Sequence, residues 1–136
     1  METLIINSAV ELKKIAVYNS DTLYRDNNIM TFPNDETGQV LAEMQDAGID
    51  LSIIHPVVFF QLFEKKEQAQ AMSDYLAENA PEIKLAIHPD ETPNVWDLDC
   101  TVKMLPCHDA IIAQEAQFEQ IAAKYQGYND GWGIEA

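Results

Sequence analysis

The sequence predicts an α+β fold: an antiparallel sheet with helices on one face, in the order of a ferredoxin-like α/β sandwich, and an extra N-terminal helix in front. Three observations predict it. From residue 57 onward, segments of two-residue and helical periodicity alternate as strand, helix, strand, strand, helix and a short edge strand. The two middle strands are separated only by the turn PDETPN, which makes them an antiparallel hairpin. Hydrophobic residues make up 47% of the chain, enough to bury a core and to exclude a disordered chain.

With 136 residues there is room for one domain and not for two. Residues 19–35, NSDTLYRDNNIMTFPND, are polar and turn-rich, and they divide the chain into an N-terminal extension and connector, 1–31, and a main domain, 32–136. Within the extension, Ser8 and Glu11 suit the capping box of a short helix in INSAVELKKIAVY, while KKIAVY reads equally well as a strand.

The main domain opens with a helix that Asn34 or Asp35 can cap, with Val40, Leu41, Met44 and Ala47 at helical spacing and Gly48 as its stop. Residues 57–63, VVFFQLF, are β-branched and aromatic and follow Pro56, as a central strand should. KKEQAQAMSDYLAENAP sets Ala69, Met72 and Leu76 on one helical face and ends before Pro81. In the hairpin, Ile83, Leu85 and Ile87 alternate, and Trp96, Leu98, Cys100, Val102 and Met104 alternate against Asp97, Asp99, Thr101 and Lys103. Ile111, Phe118 and Tyr125 mark a last helix that Gly127 stops. The closing GYNDGWGIEA is too glycine-rich for a helix. In it Asn129, Asp130 and Gly131 are expected to form a turn that returns Trp132 to the core, the Asp130 carboxylate accepting backbone N–H groups.

Strand 57–63 is apolar on both sides, with Val58, Phe60 and Leu62 on one and Val57, Phe59, Gln61 and Phe63 on the other. The set containing Gln61 is assigned to the face away from the helices. Phe59 and Phe63 are then expected beside Asp97, Asp99 and Thr101, where something must cover them. The candidates are the chain's own N-terminal segment or first helix, a second copy in a homodimer, or a partner protein.

Charge narrows the partner. Eight basic residues against 23 acidic ones give a net charge of −15, which argues against direct nucleic-acid binding and suits a basic protein surface. The start, METLIINSAVELKK, lacks the basic region of a signal peptide, and no run reaches the ~18 apolar residues of a membrane span. Two cysteines fit a reducing compartment, so the expected location is cytoplasmic, with no membrane association.

Soft ligands and nucleophiles converge only at Cys100, Cys107 and His108. Cys100 points inward as a small hydrophobe, and Cys107 with His108 stands at the start of the last helix. Neither CxxC nor HxxxH occurs, nor a P-loop, GxGxxG or GxSxG motif. The expectation is a protein that is not an enzyme, with no metal and no cofactor.

Asp130, Gly131, Trp132 and Gly133, after a long helix closing on Ala123, Lys124, Tyr125 and Gly127, resemble the terminal signature of the regulator of ribonuclease E activity B family, RraB. FPNDETGQVLAEMQDAGIDL resembles the family's opening helix, VVFFQLFEKKEQAQAMSDYL its first strand and helix, and WDLDCTVKMLP its tryptophan-led strand. The resemblance covers residues 32–133. It implies a ferredoxin-like sandwich and a non-catalytic inhibitor that binds ribonuclease E or a related component of RNA degradation and modulates cleavage. The surface expected to meet that partner is Asp97, Asp99, Glu64, Glu67 and Asp90, with Phe59 and Phe63. Asp130, Gly131, Trp132 and Gly133 are expected to be structural. The competing expectation is a self-associating module of the same fold, with an unrelated protein partner.

Overall fold

The computed structural model describes residues 32–135, so the reading of the N-terminal extension lies outside the described residues. Seven elements follow in the expected order: α1 (Glu36–Asp46), β1 (His55–Phe63), α2 (Lys66–Asn79), β2 (Lys84–Pro89), β3 (Trp96–Met104), α3 (His108–Lys124) and β4 (Tyr128–Ile134). The sheet order is β2-β3-β1-β4, and every neighbouring pair is antiparallel. This is the ferredoxin-like arrangement, with β1 and β3 central and β2 and β4 at the edges.

The helix ends follow from local chemistry. The Asp35 carboxylate caps α1 by accepting the Gly38 N–H at 2.8 Å. At its other end Gly48 takes a φ of 98°, and the N–H groups of Gly48 and Ile49 return to the carbonyls of Gln45 and Met44. The end of α3 repeats this pattern with a difference. The left-handed residue is Gln126, φ 64°, while Gly127 N–H donates to the Ala122 carbonyl at 2.8 Å. Gly127 serves close packing instead: a Cβ there would lie 2.3 Å from the Phe63 ring.

One core lies between sheet and helices. Val40, Leu41 and Met44 of α1, Ala69, Met72 and Leu76 of α2, and Ile111, Phe118 and Ala122 of α3 pack with Val57, Phe59, Phe63, Leu98, Cys100, Trp132 and Ile134. The hairpin residues Leu85, Ile87, Trp96 and Val102 flank it as their alternation predicts.

The facing of β1 is the reverse of the expectation. Phe59 and Phe63 lie under the helices, both fully buried, with the Phe59 ring 5.3 Å from that of Phe118. The register explains this: Phe59 pairs with Cys100 and Phe63 with Trp96, so the odd residues of β1 share the helix face. Gln61 goes in with them, and neither its amide N nor its amide O has a hydrogen-bond partner among the described residues. Burying two rings at about 1.5–3 kcal/mol each outweighs one unpartnered amide at about 1–3 kcal/mol.

The closing residues form the expected edge strand, with a bulge where a turn at Asn129, Asp130 and Gly131 was expected. Phe59 pairs with Trp132 but Gln61 with Asn129, so β4 carries one extra residue, a bulge at which Gly131 has a φ of 107°. The bulge keeps Trp132, 1% exposed, on the core face. The side chain that accepts a backbone N–H here is Asn129, from Gly131 at 3.3 Å, in place of the expected Asp130. Asn129 also donates to Glu115 of α3 at 2.9 Å, which ties the bulge to the last helix.

Candidate partner-binding surface

The face of the sheet without helices carries the acidic row. β1 sets Phe60 against Asp99 and Leu62 against Asp97, while β2 sets Ala86 against Asp99 and His88 against Asp97. His88 is the cation paired with the two aspartates: its Nε2 lies 2.9 Å from Asp99 and its Nδ1 3.6 Å from Asp97. Burial alone would lower the His88 pKa, but the hydrogen bond and charge of Asp99, with Asp97 beyond, raise it.

Lys84 and Lys103 stand farther along the same face, beside Thr101 and Pro56, and His88 is the cation within reach of Asp97 and Asp99. Burial, and then the neighbouring Asp90, push Asp97 up to about 7. Burial and Asp90 likewise bring Asp130 to about 6. Burial also raises Asp99, against the opposing pull of His88, and leaves Asp99 Oδ1 with no hydrogen-bond partner among the described residues. Asp90 itself is held below its usual range, chiefly by the Thr92 N–H donating to it at 2.9 Å. Around Asp97, carboxylates are therefore crowded against one another, with His88 as the cation paired to two of them.

The expected site residues separate into three groups. Asp97, Asp99 and Asp90 come together, with Asp97 near the Trp96–Phe63 end of the sheet. Glu64 and Glu67 follow β1 at that same end and are exposed, whereas the side chains of Asp97 and Asp99 are only 13% and 23% exposed. Phe59 and Phe63 are removed from the surface altogether. His88 and Asp130 belong to the cluster and were missed; symmetric pairing about PDETPN would set His88 opposite Val95, whereas Pro89 belongs to the strand and the register, centred on residues 90–95, sets His88 opposite Asp97.

A second cluster forms where α1 and α3 begin. His108 Nε2 meets Asp35 at 2.7 Å and Nδ1 meets Asp109 at 2.9 Å. Those two bonds raise the His108 pKa, and with an acceptor at each nitrogen the ring donates to both only as imidazolium. The exposed Cys107 next to it lines an apolar groove of about 390 Å³ with Phe32, Leu51, Leu105 and Pro106. His108 is thus committed to two carboxylates and not to the thiol. Cys100 is buried, and burial pushes its thiol pKa up, away from the thiolate that chemistry would need. Among the described residues, no group of three His, Cys, Asp or Glu side chains is placed to hold a metal ion.

No curated protein matches the chain. Residues 34–134, from just before the Asp35 cap to the last residue of β4, match the family described as Regulator of ribonuclease activity B. That span takes in every element of the sandwich and the DGWG bulge, and on it the chain belongs to the RraB family.

Proposed function

We propose that this chain is a non-catalytic regulator that binds ribonuclease E, or another protein of the RNA-degrading assembly, and lowers or redirects RNA cleavage in the cytoplasm. Membership of a family of ribonuclease regulators supports the activity. The observation that carries the mode of binding is the cluster of carboxylates around Asp97, in which His88 pairs with Asp97 and Asp99 while Asp90 raises the pKa of both Asp97 and Asp130. Such a surface attracts a basic protein segment and repels RNA. The acids proposed to meet it are the exposed Glu64 and Glu67, which follow β1 at the Phe63 end, and the half-buried Asp90, with Asp97 and Asp99. Self-association through Phe59 and Phe63 has no support, because both rings are in the core. Among the described residues, no helix is long and apolar enough to cross a membrane.

The test is RNA cleavage by purified ribonuclease E with and without the protein. A slower or altered cleavage pattern is expected, and unchanged cleavage at saturating protein would sink the inhibitor reading. In a binding assay, the double charge reversal Glu67→Lys and Asp90→Lys should weaken association by about tenfold or more and flatten its salt dependence. Unaltered affinity would move the contact to another surface.

A further inference from the structure

Large apolar side chains are exposed at few places among the described residues, and three of them emerge together at one end of the sandwich: Ile54, 67% exposed, Ile53, 52%, and Leu105, 45%. The pairing of His55 with Met104 ends β1 and β3 side by side, so the two isoleucines before one strand meet the leucine after the other. Beside them opens the groove of about 390 Å³ lined by Phe32, Leu51, Leu105, Pro106 and Cys107, within the roughly 300–1,000 Å³ of ligand sites. The half-exposed Ile112 lies one turn along α3 from His108, at the mouth of the same groove. Single exposed hydrophobics are ordinary, but a contiguous set beside a groove marks an interaction site. The rim carries carboxylates. Asp109 lines the groove with its side chain 99% exposed, Asp35 stands across His108 from it, and Asp50 precedes Leu51. The Ser52 hydroxyl and N–H donate to Asp50 and hold its carboxyl below the usual range. Of the basic groups at this end, His108 is shared between Asp35 and Asp109, His55 sets its Nε2 2.6 Å from the Asp50 carbonyl, and Lys103 faces the helix-free side opposite Pro56.

We propose that this groove docks a basic segment of a partner protein, seating an aromatic or branched aliphatic side chain between Leu51, Leu105 and Cys107 and setting flanking Lys or Arg against Asp109 and Asp50. Charge selects the occupant. Two copies of the chain joined here would bring Asp35, Asp50 and Asp109 of each against the same carboxylates of the other, with a net charge of −15 on both. An anionic lipid surface is repelled for the same reason. Residues 1–31 carry four acids against three Lys and Arg, so they bring no excess of positive charge. A basic segment gains from both parts of the site: the rim steers and orients it, and the apolar anchor, once desolvated, holds it. The inference rests on the reading of the protein as a regulator with a basic partner, and adds an apolar contact to the acidic sheet face. Its test uses no ribonuclease, so its failure and that of the cleavage assay are separate results.

Cys107 supplies the reporter, because it is exposed in the groove while Cys100 is buried. Its alkylation by iodoacetamide is followed by mass spectrometry on the full-length chain. An excess of a capped Lys-Arg-Trp-Leu-Lys-Arg peptide should slow the reaction by about fivefold or more. An acidic Glu-Glu-Trp-Leu-Glu-Glu peptide and a Lys-Arg-Gly-Gly-Lys-Arg peptide without the anchor should leave the rate unchanged. Ile54→Ser with Leu105→Ser, at two exposed positions, should abolish the protection while the far-UV circular dichroism stays that of the parent. No protection by the basic peptide, or equal protection by either control, would overturn the proposal. A Cys107 as slow as Cys100 before any peptide is added would give the groove to the chain itself, and a rate that falls as the protein is concentrated would give it to a second copy. Either result overturns the proposal as well.

Discussion

Gln61 and Gly127 show how single residues hold this core under tension and how they can be tested. Gln61 is fully buried and both ends of its amide lack a described partner, so desolvation is uncompensated. Gln61→Leu, similar in volume and apolar, should stabilise the protein by about 1–2 kcal/mol in urea denaturation. Gly127→Ala goes the other way. A methyl group 2.3 Å from the Phe63 ring forces ring or backbone to move, at about 1–3 kcal/mol. Its φ is not the issue, since the left-handed position belongs to Gln126, whose side chain hydrogen bonds Gln68 of α2 at 2.6 Å. From sequence Gly127 and Gln126 exchange roles, because a glycine at a helix end reads first as a stop and its clearance from a distant ring is not a local property.

Among the elements, α1 has a charged tie to α3 in addition to its apolar packing. Asp35 both caps the helix and holds His108 at the start of α3, and although burial opposes it, the Gly38 N–H and His108 lower its pKa. Asp35→Ala should cost about 1–2 kcal/mol through the cap alone. Asp35→Asn preserves the cap but not the charge. Its deficit should therefore be larger at pH 6, where His108 is protonated, than at pH 8, as chemical denaturation at the two values would reveal. The order of elements, the hairpin and the helical faces were legible in the sequence because each rests on local periodicity, as with Ala69, Met72 and Leu76. The facing of β1 was not legible. Both of its sides are apolar, so only the pairing of Phe59 with Cys100 decides which one meets the helices. The acidic row was half legible: Asp97 and Asp99 follow from strand alternation, but the contribution of Asp130 depends on a bulge two strands away.

For the whole molecule, titration gives a directional prediction. His88 and His108 have raised pKa values in the folded state, so the stability they add is full below their unfolded value and lost as pH rises through the folded one. Asp97 at about 7, Asp130 at about 6 and the raised Asp99 also bind protons more tightly when folded, so ionising them between pH 4 and 7 erodes stability further. Both sets act in the same direction, and the net charge of −15 adds self-repulsion as pH rises. The melting temperature should be higher at pH 5.5 than at pH 8, each 1 kcal/mol appearing as about 4–8 °C in calorimetry. A flat profile over that interval would mean that the carboxylates ionise freely and that the face is less crowded with charge than described.

The half-exposed edge strand β2 bears on how the protein behaves when concentrated. Lys84 opens it and Pro89 closes it, and between them Leu85 and Ile87 face the core while Ala86 and His88 face outward. A strand flanked by an ammonium group and by a residue with no N–H to donate is a poor template for a neighbouring molecule's backbone. Replacing both ends, Lys84→Val with Pro89→Val, should leave the fold in place and yet produce thioflavin-positive fibrils on prolonged shaking. The short, guarded margin of the sheet would then be what keeps this domain from becoming the seed of a cross-β fibre.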